Sequence, residues 1–204
     1  SAYMCHELDV DAIGIHAVGA DRCARIKSQA RWLAAFAALP MSPSIFLLTD
    51  ATDPDELILL ATQSACDTVQ LQGALPADAV RGVAARLRSR GWRVVKSVGA
   101  AQPAVDVAAY CRAVAPFVDA VLLDSSWAGG SGVTAPPDLV RSVLEAIPEQ
   151  RFILAGGLNH GNVGEAITRF GPMAVDVESG IEVHLPAADG GRRISVRTAR
   201  RIEE

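Results

Sequence analysis

Seven short apolar runs alternate with helix-length segments along most of this chain. The runs are Val10 to His16, Ile45 to Thr49, Asp67 to Leu71, Trp92 to Val98, Ala120 to Asp124, Phe152 to Ala155 and Met173 to Val177. Each is too short for a helix and bounded by turn residues, so each is predicted to be a strand. Between them the spacing predicts helices. Cys23 to Ala38 carries Ile26, Ala30, Leu33 and Ala37 at helical spacing. Asp53-Pro-Asp-Glu56 opens the next helix with a capping residue and a proline in the first turn. The helix from Pro76 is ended by Gly91. Others are predicted at Pro103 to Ala115, Pro137 to Ile147 and Asn162 to Phe170, with a last helix from Arg193 to Ile202. Such alternation implies a parallel sheet, and this many units favours a closed barrel over an open sheet. The expected class is α/β, a (β/α)8 TIM barrel, with residues 1–204 as one domain.

A barrel of this kind needs an eighth strand. The candidate is Ala2-Tyr-Met-Cys5, but a parallel neighbour requires a crossover of roughly a dozen residues or more. His6 to Asp9 cannot supply it, because extended chain covers at most about 3.3–3.6 Å per residue. The first β/α unit is therefore expected to be short or incomplete, or a segment is absent between Cys5 and His6.

Composition narrows the class. Half of the 204 residues are hydrophobic and 21% are charged, as in a soluble globular protein. The net charge of −4 and the lack of a basic block argue against a nucleic-acid partner. No run is long enough to span a membrane and no signal peptide is visible. Cys5, Cys23, Cys66 and Cys111 lack metal-type spacing and read as reduced thiols of a cytoplasmic protein.

Chemistry is expected at the C-terminal ends of the strands. The run Ala120 to Leu123 stops at one carboxylate, Asp124, and Gly129-Gly130-Ser-Gly132 follows. Asp124 is either a site acid or a turn and cap residue. Two consecutive strands then end in glycine, at Gly156-Gly157 and at Ser179-Gly180. Glycine lets backbone N–H groups approach an anion, and a following helix N-terminus adds positive potential. Paired turns of this kind form the usual phosphate cradle after the last two strands of a (β/α)8 barrel.

These segments together resemble phosphoribosylanthranilate isomerase, a tryptophan-pathway (β/α)8 barrel. The resemblance is carried by Val10-Asp-Ala-Ile-Gly14, Asp67-Thr-Val-Gln-Leu-Gln-Gly73, Val95-Lys-Ser-Val98, Leu122-Leu-Asp124 with Gly129-Gly-Ser-Gly132, Leu154-Ala-Gly-Gly-Leu-Asn159, and Val175-Asp-Val-Glu-Ser-Gly-Ile-Glu182. They keep the family's order and approximate spacing.

The resemblance implies an Amadori rearrangement of an aminoaldose phosphate, run by one acid and one base without a metal or organic cofactor. By resemblance, Asp124 is the general acid and needs a raised pKa. Cys5 is the candidate base, standing at the end of Tyr3-Met-Cys5; alternatively it is a terminal or core thiol. Arg22 falls where the family keeps an arginine for the substrate's carboxylate, or is a solvated surface arginine. Gly130 and Gln72 are expected at the substrate, with Gln72 in place of the family's histidine. Asp176 matches a family aspartate and either meets substrate or orders the barrel mouth. Gly156, Gly157, Ser179 and Gly180 are the expected phosphate turns. Glu178 departs from the family's small polar residue there, and its charge would repel phosphate unless it points away. His16 is a possible replacement polar group at the mouth, or a partly buried histidine with a backbone partner.

The expected partner is a small sugar phosphate, bound by a monomer or homodimer. The alternatives are the same fold acting on a different sugar phosphate, or a non-catalytic barrel that binds a phosphate ligand.

Overall fold

The computed structural model describes residues 10–40, 42–100, 106–124, 134–147, 151–185 and 194–197. The proposed first strand, Cys5 and the Cys5–His6 junction lie outside them, as does Gly130. The described strands are β1 (Ala12–Ala17), β2 (Ser44–Thr49), β3 (Thr68–Leu71), β4 (Arg93–Gly99), β5 (Ala120–Asp124), β6 (Phe152–Ala155) and β7 (Ala174–Asp176). Helices α1 (Arg22–Ala37), α2 (Pro54–Ser64), α3 (Ala77–Arg88), α4 (Val107–Val114), α5 (Pro137–Ala146) and α6 (Val163–Phe170) lie between them. All seven strands pair in parallel and in chain order.

The sheet curls. Laid flat, its edge strands would stand about 29 Å apart, six spacings of about 4.8 Å. Instead Nε2 of His16, on β1, lies 3.7 Å from Oε1 of Glu178, two residues beyond β7. The architecture is a (β/α)8-type barrel in which seven parallel strands are described.

Alternation along the strands sorts the side chains into two layers. Ile15 and Ala17 of β1, Ile45 and Leu47 of β2, Val69 and Leu71 of β3, and Val94 and Val98 of β4 face the helices. There they meet Ile26, Leu33 and Phe36 of α1 and Leu57 and Leu60 of α2. All five of these helix residues are fully buried. Truncating one of these leucines to alanine costs about 2–5 kcal/mol. The inner layer is smaller: Val95, Ala120, Leu122, Ile153 and Ala155, with Phe46 packed on them. Gly14 belongs to it, because a Cβ there would meet Leu48 Cδ1 at 3.0 Å.

The N-terminal ends of the strands are pinned by side chains. Ser44 Oγ donates to Asp67, and Arg93 Nη2 donates to both Asp67 and Ser44 at 2.8 Å. The capping expected at Asp53 is present: its carboxylate accepts the N–H groups of Asp55 and Glu56, at 3.0 and 2.8 Å.

One predicted element is corrected. Within the expected last helix, Arg193 to Ile202, residues Ile194–Arg197 form strand β9, antiparallel to β8 (Glu182–Leu185). Ile194-Ser-Val-Arg197 alternates apolar and polar residues, and Glu182-Val-His-Leu185 does the same. Period two with β-branched residues suits a hairpin, not a helix.

Candidate active site

Strand register builds the site. Gly99 pairs with Asp124, Asp124 with Ala155, and Ala155 with Asp176. These residues therefore form one row across β4 to β7, at the C-terminal ends of the strands. Ala155 belongs to the inner apolar layer, so the row faces the lumen. Asp124 and Asp176 stand on that row, one strand apart on either side of Ala155. Ala120 and Leu122 on β5 form the apolar floor below Asp124. Asp124 is half-buried, and its backbone carbonyl accepts the Ala100 N–H at 2.7 Å.

Asp176 has its carboxyl raised. Burial is the largest cause; the charges of Glu178 and then Asp124 add to it, and His16 opposes it. Asp176 is nonetheless exposed to water, which softens the desolvation without changing its sign. The resemblance singles out Asp124 for a raised pKa; the structure raises Asp176, where three carboxylates meet. His16 and Glu178 lie at the same place, and Glu178 reaches toward His16.

Arg22 opens α1, just after β1. Its Nε donates to Asp50 Oδ1 at 2.6 Å and its Nη1 to Glu56 Oε1 at 3.2 Å. The Gly19 N–H, in a turn with φ of +82°, also reaches both Asp50 oxygens at 3.2 Å. Burial alone would raise the Asp50 carboxyl, but Arg22 and the Gly19 N–H together hold it below the ordinary range. Arg22 thus ties the loop after β1 to the loop after β2. Its Nη2 has no partner among the described residues. Gln72 follows β3, with its N–H donated to the Thr49 carbonyl at 2.8 Å.

The glycine turns after β6 and β7 are in contact. Gly156 and Gly157 have φ of +82° and +65°, conformations that favour glycine. Asn162 then locks the loop: its Oδ1 accepts the Asn159 N–H at 2.8 Å, and its Nδ2 donates to the Gly157 carbonyl at 3.0 Å. Ser179 and Gly180 lie in a short 3-10 turn beyond β7. A Cβ on Gly180 would come within 1.9 Å of the Leu158 carbonyl oxygen and 2.9 Å of Asn159 Cα. The backbones of the two turns are therefore in contact, at the end of the barrel that carries Asp176.

The sequence profile described as N-(5'-phosphoribosyl)anthranilate isomerase matches residues 49–188, which hold this row and both turns. The chain belongs to the phosphoribosylanthranilate isomerase family. A relative of that name from Haloferax volcanii is 38% identical over 185 residues, covering 85% of this chain and 77% of the relative. A solved phosphoribosyl anthranilate isomerase from Thermus thermophilus superposes with a TM-score of 0.66 at 24% identity, over 89% of this chain and 82% of its own. Another, in complex with reduced 1-(o-carboxyphenylamino)-1-deoxyribulose 5-phosphate, superposes with a TM-score of 0.67 at 24% identity. That match covers 95% of this chain and 86% of the other. At this identity the structural likenesses establish the barrel fold.

Of the residues assigned from the phosphoribosylanthranilate isomerase resemblance, the structure gathers Asp124, Asp176, Gly156, Gly157, Ser179 and Gly180 at one end of the barrel. Arg22 and Gln72 lie on loops at the same end, after β1 and β3. The expected base, Cys5, and the expected substrate glycine, Gly130, lie outside the described residues. Sequence reasoning missed Asp50 and Glu56 as partners of Arg22. The signal was present: both follow a strand end, as Arg22 does, and carry the opposite charge.

Proposed function

We propose that this chain isomerises an N-substituted phosphoribosylamine, with phosphoribosylanthranilate as the substrate, to the aminoketose phosphate. The observation that carries this reading is the lumen-facing row Asp124–Ala155–Asp176 beside the joined glycine turns. It brings two carboxylates and two glycine turns to one end of the barrel, above an apolar floor.

In this mechanism Asp124 is the general acid. It protonates the ribose ring oxygen; the C1'–O bond breaks while the nitrogen lone pair forms the C1'=N bond of a protonated Schiff base. A general base, assigned to Cys5, then removes the proton from C2'. The C–H electrons form the C1'–C2' enolamine, which tautomerises to the ketone at C2'. Neither step transfers electrons to an external acceptor. Asp176 and Asp124 stand on one row with Glu178 nearby, so the carboxyls at the mouth share their protons and a protonated acid is favoured there. The N–H groups at Gly157 and Gly180 hold the phosphate. Nη2 of Arg22 meets the anthranilate carboxylate while Asp50 and Glu56 fix the guanidinium plane. Glu178, drawn toward His16, leaves the phosphate turn less repulsive than its charge alone implies. The free thiols Cys23, Cys66 and Cys111 suit a reducing, cytoplasmic setting.

The test is turnover of phosphoribosylanthranilate generated in situ, by the wild-type chain and by Asp124→Asn. A second reading, the same fold acting on a different sugar phosphate, is favoured by Gln72 and by the Glu178–His16 pair at the mouth. It is tested by offering the same protein other N-substituted phosphoribosylamines.

A further inference from the structure

Lys96 is the one charged side chain with no exposure among the described residues. It lies on β4 between Val94 and Val98, both of which face the helices, so alternation places it in the outer layer and away from the lumen. Its Nζ donates to three backbone carbonyls: Leu71 at 3.2 Å, Gly73 at 2.9 Å and Ser97 at 2.5 Å. Leu71 ends β3, and Gly73, with φ of +79°, belongs to the turn that follows. Nζ also lies 5.9 Å from the centroid of the Tyr110 ring, on α4. The Tyr110 hydroxyl donates to the Leu75 carbonyl at 2.5 Å. Alternate carbonyls of one turn, at 71, 73 and 75, are therefore gripped from the helix side by two residues.

Among the described residues, no carboxylate pairs with the ammonium. The titratable groups of α4 that face it are Tyr110 and Cys111, and burial pushes both up to about 12, so both are neutral. No ion pair to Lys96 is found among the described residues. A buried cation held only by carbonyls is a costly way to fill a core position that valines occupy on either side. What it provides is the shape of the turn that carries Gln72. The alternation Thr68, Gln70 along β3 directs Gln72 to the mouth, and the Thr49 carbonyl holds its N–H.

We propose that Lys96 is a positioning residue, whose ammonium clamps the Leu71–Leu75 turn so that Gln72 is presented to the substrate. This rests on the mouth being the active site, as proposed above. Burial lowers the Lys96 ammonium to about 8, so the clamp operates at neutral pH and is released above it.

Hydrogen exchange of the full-length protein tests the clamp without reference to turnover. In Lys96→Met, exchange at residues 72–75 should rise about tenfold, as for loss of roughly one net hydrogen bond, while β5 and β6 stay protected. In the wild-type protein, exchange at 72–75 should rise between pH 7 and 9 more steeply than base catalysis alone requires, as protection is lost. That arm needs no variant and stands if Lys96→Met fails to fold. Kinetics then ask whether Lys96 acts through Gln72. Lys96→Met should raise KM more than it lowers kcat, and adding it to Gln72→Ala should cost nothing further. Unchanged exchange at 72–75 in both arms, or additive losses in the double variant, would overturn the proposal. A failed phosphoribosylanthranilate assay with the exchange pattern intact would instead count against the substrate.

Discussion

Gly180 and Leu158 touch through their backbones: a Cβ on Gly180 would lie 1.9 Å from the Leu158 carbonyl oxygen. No side chain can relieve that contact, because both partners are main chain. The turn after β7 is thereby seated on the turn after β6, and the proposed phosphate site needs both. Gly180→Ala is predicted to separate them. The expected result is a KM for the phosphorylated substrate raised at least about tenfold, at a stability cost of about 1–3 kcal/mol. Steady-state kinetics and inorganic phosphate inhibition measure the first, denaturant unfolding the second. An unchanged KM would show that the turns do not hold phosphate together.

Asp176 is predicted to make the fold less stable as pH rises out of the acid range. Its folded pKa is raised by burial first and then by Glu178 and Asp124. A carboxyl raised in this way favours the fold while protonated. That contribution is full below the ordinary aspartate value of 3.8 and is lost as pH climbs through the higher folded value. Asp176→Asn should flatten this part of the Tm-against-pH curve and raise Tm at neutral pH. Parallel curves for the two proteins would contradict the placement.

Lys96 has the opposite dependence. Its pKa is about 8 in the fold against 10.5 ordinarily, so burial disfavours the ammonium and folding releases a proton. The penalty is full below pH 8 and is relieved as pH rises toward 10.5. Thiols complicate the raw curve, since Cys66 and Cys111 are pushed up to about 11 and about 12. The difference between wild type and Lys96→Met isolates the lysine. That difference should shift by about 3 kcal/mol in favour of wild type between pH 8 and 10.5, the worth of a shift of this size. A constant difference would contradict it.

Arg22→Lys should raise KM with little change in kcat, because one ammonium cannot hold Asp50 and Glu56 and still offer a planar edge to a carboxylate. A lower kcat at constant KM would assign Arg22 to the chemical step instead.

Much of this was legible in the sequence for a plain reason. Strands buried against helices are apolar runs, so all seven were visible, as was the carboxylate ending Ala120 to Asp124. The glycine pairs were visible because positive φ at Gly156 and Gly157 leaves a compositional trace. Contacts set by tertiary approach were not. Nothing local marks Gly180 as lying against Leu158, or Lys96 as facing the helices, since a lysine in a strand is ordinarily solvated. Ile194–Arg197 was misread because an arginine-rich tail suits a surface helix equally well, and its strand partner at Glu182–Leu185 lies well upstream.

The central claim is that Asp124 donates the proton that opens the ribose ring. Turnover of phosphoribosylanthranilate, generated in situ, by wild type and Asp124→Asn tests it most directly. The account predicts wild-type turnover and a loss of at least about a hundredfold in kcat for the variant, as for removal of a general acid, with thermal stability retained. A variant that turns over at the wild-type rate would contradict it.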